Sequence, residues 1–267
     1  MKAVIVVAWL WTRMLPITKT IPKEMLPVGD KPVIHYIVED LSTAGIDDII
    51  MITSKNKSAM EDYFKDSPEL EQLLASKGKT ELLALINQPK TFAQYTFVKQ
   101  DQQLGTAHAV NQARHLLETE DHFLVIFGDM VFPPKMYDEM IAKHEATGAA
   151  ILTANHVARE DVYKYGVMAL DGDRITQIVE KPSVESAPST LIWNGVALLP
   201  KEIFPYIDTI LAAREEWKEA FLPEAIGLML KDRDVRVLEV APFWDIGSPE
   251  LLLKANAYLY QHGKLFD

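Results

Sequence analysis

The sequence predicts an α/β fold: a doubly wound mixed sheet, mostly parallel, with an inserted antiparallel portion. Two observations carry this reading. Up to residue 155, short apolar runs rich in β-branched residues alternate with segments of helical spacing, the rhythm of parallel strands joined by crossover helices. After Gly166 the apolar runs follow one another across short turns such as Asp171-Gly172-Asp173, as antiparallel strands do.

Residues 3–8 (AVIVVA) form a continuous apolar run, expected of a strand buried on both faces. Residues 33–44 have helical spacing, and Gly45 suits the C-terminal cap. Residues 48–53 (DIIMIT) are a second strand, and a polar helical stretch runs from 57 to 85. A third strand is expected over 95–99, a helix over 107–117 and a fourth strand over 123–127 (FLVIF), ending at Gly128-Asp129. A helix over 134–147 and a strand over 150–155 follow. In the later half, 167–170, 175–180 and 190–199 read as strands, 201–210 and 221–230 as helices, 235–240 as a late strand and 249–261 as a closing helix. With no internal repeat, low-complexity segment or clear linker, one domain over 1–267 is the simplest organisation.

Composition narrows the function classes. A chain of 267 residues, 48% hydrophobic, can bury a full core. The net charge of -11 argues against a broad nucleic-acid surface, so anionic ligands have to be held by a few placed cations. There are no cysteines, which excludes disulfides and thiolate metal sites and fits a cytoplasmic protein. The apolar run over 3–11 mimics a signal-peptide core, but no small-residue cleavage site follows and Thr12-Arg13 interrupts it. No run approaches membrane-spanning length, so no membrane partner is expected. The histidines show no metal-binding spacing, and His108 is read as a helix-surface residue. Residues 215–219 are read as a solvated helix face.

In doubly wound sheets ligands bind at the carboxyl ends of the strands. The first strand leads into Thr12, Arg13 and Lys23, and the third into Gln100 and Gly105. The fourth leads into Asp129, the strand before Lys181 into Glu180-Lys181-Pro182, and Asp245 follows a late apolar stretch. Cations for phosphates and two separate carboxylates for a divalent ion thus gather at one edge. Mg²⁺ commonly uses one or two carboxylates plus phosphate oxygens. The chemistry suggested is phosphoryl or nucleotidyl transfer, which proceeds by positioning and charge neutralisation.

The stretch TRMLPITKTIPKEMLPVGDKPVIHYIVEDL resembles the signature of the sugar-phosphate nucleotidylyltransferases, and within them is most similar to the bacterial and archaeal UTP–glucose-1-phosphate uridylyltransferases. KQDQQLGTAHAV, FGDMVF, YGVM, EKP, NGV, FLPEAI and WDIGSPE follow in the family's order, so the resemblance covers nearly the whole chain. It implies a Rossmann-like nucleotide-binding part over about 1–155, a sugar-binding part over about 156–248 and a C-terminal helix over about 249–267. It implies in-line attack of a sugar 1-phosphate on the α-phosphorus of UTP, or of dTTP in the thymidylyl cousins. Mg²⁺ is the implied cofactor, and a homodimer or homotetramer the implied assembly.

Residue by residue, the resemblance assigns Arg13, Lys23 and Asp129 to catalysis. Ala8, Trp9, Leu10, Trp11, Thr12, Gln100, Gly105 and Thr106 would bind the nucleotide. Gly166, Glu180, Lys181 and Asn194 would bind the sugar phosphate, and Asp129 and Asp245 the metal. Lys31 is read as structural or as a secondary phosphate contact. One departure stands out. The family loop reads small residues, then Gly, any residue, Gly, Thr, Arg, whereas here Trp9 and Trp11 occupy both glycine positions. Glycine there permits positive φ and close approach of backbone N–H groups. The two indoles, set with Val7 on one face of a strand continued past Ala8, are expected either to plug the cleft and impair nucleotide binding, leaving a catalytically crippled scaffold of the same fold in the limit, or to point outward and stack on the base with activity preserved.

Overall fold

A run of β-branched residues buried on both faces can only be an interior strand, and Lys2–Val6 takes that place in a nine-stranded sheet. The computed structural model describes every residue except 10, 11, 56, 217, 241 and 267. Across the sheet the order is Gln94–Lys99, Asp48–Thr53, Lys2–Val6, His122–Phe127, Leu191–Pro200, Ala150–His156, Val235–Glu239, Arg174–Glu180 and Gly166–Asp171. The first four run parallel. Leu191–Pro200 is antiparallel to both its neighbours, and Val235–Glu239 is parallel to Ala150–His156. The carboxyl ends of Asp48–Thr53, Lys2–Val6, His122–Phe127 and Ala150–His156 therefore open on one edge.

Helices cover both faces. Val33–Thr43 and Met136–Thr147 close one apolar layer against Ile5, Ile49 and Leu124, while Thr106–Gln112, Ile203–Ala213 and Leu222–Met229 close the other against Val4, Val125 and Leu152. Leu191–Pro200 is buried along its entire length. Its register slips between Trp193 and Ala197, so Asn194 and Gly195 fall out of the ladder beside the end of His122–Phe127.

Three sequence expectations change. The first strand stops at Val6, although the Val7 N–H still donates to Ile52 O at 3.0 Å. The helical stretch over 57–85 divides into Ser58–Tyr63, Pro68–Ser76 and Thr80–Thr91, interrupted where Ser67-Pro68 and Gly78 break the helix. Glu215, Glu216, Lys218 and Glu219 lie outside any helix, because Ile203–Ala213 ends before them, and residue 217 of that stretch lies outside the described residues. Two pairings were not foreseen: Met130–Val131 with Trp244–Asp245, and Pro27–Val28 with Lys31–Pro32. The first of these matters most, since it brings the segment carrying Asp245 alongside Asp129.

Asp40, on the inner side of helix Val33–Thr43, has its carboxyl pushed up to about 7 by burial and by Glu39. Folded and unfolded chains then differ in protonation between the ordinary value of 3.8 and about 7, and the folded chain binds more protons there. Stability falls as pH rises through that window. Asp40→Asn should match the parent below pH 4, gain a growing lead in Tm up to about pH 7, and hold that lead above it; thermal unfolding across pH checks this.

Candidate active site

Lys23 lies in a short 3₁₀ turn, Lys23–Met25, and Asp129 directly after His122–Phe127 and Gly128. Their side chains meet in an ion pair, the Lys23 ammonium donating to Asp129 Oδ2, and both are almost fully buried. Burial lowers the pKa of Lys23, while the charges of Asp129 and Glu24 oppose that. Asp245 is held across the short Met130–Val131 pairing: Ile246 N–H donates to Asp129 O at 2.9 Å, and Gly247 N–H to Asp245 Oδ1 at 2.7 Å. Burial first, and the Asp129 charge second, push the Asp245 carboxyl up, whereas Lys23 and Arg13 pull it down. Two carboxylates close enough to repel are thus fixed to one backbone ladder, with two cations in reach.

Arg13 is exposed in the turn Thr12–Met14, as is Thr12. Its charge acts on Asp245, Lys164 and Tyr165. The Tyr165 phenol is pushed up to about 12 by burial and by the charge of Asp245. Tyr165 lies immediately before Gly166, so the charge of Asp245 reaches the start of the Gly166–Asp171 strand. The entrance to the loop is pinned through its backbone. Gln103 Nε2 donates to Ala8 O at 3.2 Å, and the Lys57 ammonium donates to Val7 O. Ala8 is buried and Trp9 half-buried. Leu10 and Trp11 lie outside the described residues, and with them the expected two-indole plug.

The 100–106 segment is held from within. Gln100 is buried, and its amide donates to Gly105 O at 3.2 Å and meets His108 Nδ1 at 2.9 Å. His108 is therefore half-buried in a polar contact with Gln100 and Gln112, not a free surface histidine. Gly105 has φ +102°, and an added Cβ would sit 2.3 Å from Ala220 O. The close approach that requires glycine is thus to the Ala220 backbone. Ala107 N–H donates to Ala220 O at 3.0 Å, and Ala220 N–H to Leu104 O at 2.8 Å. Thr106 Oγ1 accepts from Leu222 N–H at 2.9 Å.

At the antiparallel end of the sheet, Gly166 pairs with both Glu180 and Trp193. Glu180 is largely buried, and burial raises its carboxyl despite the Lys181 ammonium 3.3 Å away. Lys181 has φ +46°, and its ammonium lies 4.1 Å from the centre of the Phe221 ring. A lysine held in the left-handed region costs about 1–2 kcal/mol, a strain found most often at functional positions. Asn194 is fully buried; its Oδ1 accepts from the Thr153 hydroxyl and its Nδ2 faces Asn155 Oδ1 at 3.4 Å. Lys31 instead pairs with Glu39 at 2.7 Å. Four neighbours were not singled out in sequence: Glu24, Lys57, Tyr165 and Glu219, the last with its carboxyl raised by burial beside Lys181. Tyr165 alone carried a signal, as the first residue of the YGVM motif.

An α/β sheet whose carboxyl edge joins a lysine–carboxylate pair, a second carboxylate and a strained Glu-Lys corner defines a phosphate-handling enzyme of the nucleotide-binding kind. Residues 2–262 match the family model described as nucleotidyl transferase, and the chain belongs to that family. It is similar to a protein of Methanocaldococcus jannaschii named as a candidate UTP–glucose-1-phosphate uridylyltransferase, 40% identical over 263 residues, 96% of this chain and 91% of that one. It is also similar to the UTP–glucose-1-phosphate uridylyltransferase of Staphylococcus epidermidis, 41% identical over 215 residues, 78% of this chain and 74% of that one. Among solved structures, a UTP-bound UGPase from Acinetobacter baumannii superposes with a TM-score of 0.87 at 33% identity, covering 99% of this chain and 95% of that one.

Removing one partner of a buried ion pair strands the other charge, at about 3–5 kcal/mol. Lys23→Met should therefore lower the unfolding free energy by that order, and adding Asp129→Asn should recover most of the loss. Urea unfolding of the two variants checks both.

Proposed function

We propose that this chain transfers the uridylyl group of UTP to glucose 1-phosphate, forming UDP-glucose and pyrophosphate. The observation that carries the reading is the junction of Lys23, Asp129 and Asp245 with the Tyr165–Lys181 corner at one sheet edge. Its support comes from relatives about two-fifths identical and named uridylyltransferases, and from the UTP-bound neighbour.

Lys23 and Arg13 hold the triphosphate and neutralise charge as it shifts onto the departing pyrophosphate. Lys181 holds the phosphate of the sugar, and Glu180, Gly166 and Asn194 line its hydroxyl side. The glucose 1-phosphate oxygen attacks the α-phosphorus in line, the bond to the β-phosphate breaks, and no covalent enzyme species forms. Asp129 and Asp245 suit a divalent cation. They are mutually repelling carboxylates, Asp129 buried and Asp245 half-buried, and among the described residues no group of three or more acidic or imidazole ligands forms, so phosphate oxygens and water would complete the shell, as Mg²⁺ favours. Lys23 donates to Asp129 Oδ2, and Asp129 and Asp245 are the residues that would hold the cation beside it. Bound there, the cation supplies charge neutralisation on the phosphates.

Trp9 and Trp11 then weaken this site, because indoles stand where the family's loop carries glycine. Pyrophosphate release from UTP, glucose 1-phosphate and Mg²⁺ tests both statements. The Trp9→Gly/Trp11→Gly variant should turn over about 100-fold faster than the parent. Equal rates would remove the block while keeping the activity, and silence from both proteins would overturn the activity. Lys181→Met should raise KM for glucose 1-phosphate about tenfold with KM for UTP unchanged.

A further inference from the structure

Lys57 follows the Asp48–Thr53 strand and leads into Ser58–Tyr63. Its side chain is buried, 5% exposed, and Glu24, its partner, is 1% exposed. The ammonium donates to Glu24 Oε1 and Oε2 at 3.1 and 2.9 Å and to the carbonyl of Val7. Sequestering two ions is costly, and an apolar pair of similar volume often serves stability as well or better. An ammonium offers what methylenes lack: several directed donors on one atom. Here they join three separate pieces of chain.

Each piece borders the cleft. Val7, just past the first strand, is still tied to Ile52, and the Val7 and Ala8 carbonyls before Trp9 are held by the side chains of Lys57 and Gln103. Glu24 is adjacent in sequence to Lys23, which pairs with Asp129. Gly128, directly before Asp129, packs so closely that an added Cβ would meet Val7 Cγ1 at 2.4 Å and Glu24 Cγ at 3.2 Å. Moving Glu24 or Val7 therefore moves the floor beneath Lys23 and Asp129.

We propose that Lys57 and Glu24 are positioning residues for the nucleotide side of the site. Lys57 fixes the spacing between the backbone that enters the nucleotide loop and the turn that carries Lys23. Neither side chain needs to touch substrate. The proposal rests on the uridylyl-transfer reading for its kinetic consequence, but not for its structural one. Affinity for UTP depends on the spacing, whereas affinity for glucose 1-phosphate, held on the other side by Lys181, does not.

Glu24→Gln, Lys57→Met and the double variant test it, each made in the parent and in the Trp9→Gly/Trp11→Gly protein. Each single variant leaves a buried partner unsatisfied and should lower Tm. The double variant removes both ions and should regain most of that Tm. Its amide exchange over residues 6–8 and 23–26 should nevertheless stay faster than the parent's by about tenfold. In the glycine background its KM for UTP should rise about tenfold, with KM for glucose 1-phosphate within about twofold. A double variant with parental exchange at those segments overturns the proposal. So does a loss that falls equally on both substrates and follows Tm across the series, which would mark a purely structural pair. If neither background turns over UTP, the activity reading fails, and the exchange rates alone still decide whether Lys57 and Glu24 hold the loop.

Discussion

Alternating charges, Lys57, Glu24, Lys23 and Asp129, lie buried at the edge where the first and fourth parallel strands end, and the rest of the site is arranged around them. A buried ion needs a partner of opposite sign and directed hydrogen bonds, or it costs several kcal/mol. That requirement turns local positions into shared ones. Lys57 comes from the second strand's exit, Glu24 and Lys23 from a 3₁₀ turn, and Asp129 from the fourth strand's exit. Asp245 joins through the two-residue pairing with Met130–Val131 and extends the line of charge toward Tyr165 and Arg13. Displacing the turn that carries Lys23 and Glu24 would separate both ion pairs at once.

A second tie links the two halves of the cleft. Ala220 exchanges backbone hydrogen bonds with Leu104 and Ala107, and Leu222 donates to Thr106, so residues 220–222 are fastened to the nucleotide-side loop. Phe221, in the middle of that segment, carries the Lys181 ammonium on its ring. Positive φ at Gly105 makes the fastening possible, since any side chain there would collide with the Ala220 carbonyl. The 103–106 loop and Lys181 are thereby joined through residues 220–222.

The strands were legible because burial on both faces leaves a plain mark: consecutive β-branched residues. Asp129 and Asp245 were legible as candidates because aspartates at strand ends sit where ligands bind. Their meeting was not, because it depends on the short Met130–Val131 and Trp244–Asp245 pairing, too brief to leave a pattern. Glu24 and Lys57 were illegible for another reason. Thirty-three residues apart, each reads as an ordinary surface charge, and only the fold reveals that both are inside. At Gly105 the sequence suggested close approach to a ligand, whereas the nearest neighbour is backbone of the same chain. Glu215, Glu216, Lys218 and Glu219 belong to a stretch of helical composition, but they offer no apolar face to bury, and composition alone does not sustain a helix.

The altered loop and the intact remainder can coexist for a physical reason. The anchors nearest to it are backbone carbonyls, Val7 held by Lys57 and Ala8 by Gln103, and carbonyl anchors are indifferent to the side chain that follows. The ion pairs beneath begin and end outside residue 9. The anchors and ion pairs therefore fix the charged floor through groups that precede or lie apart from residue 9. Lys23, Asp129 and Asp245 are thereby kept in register by contacts made away from the loop itself.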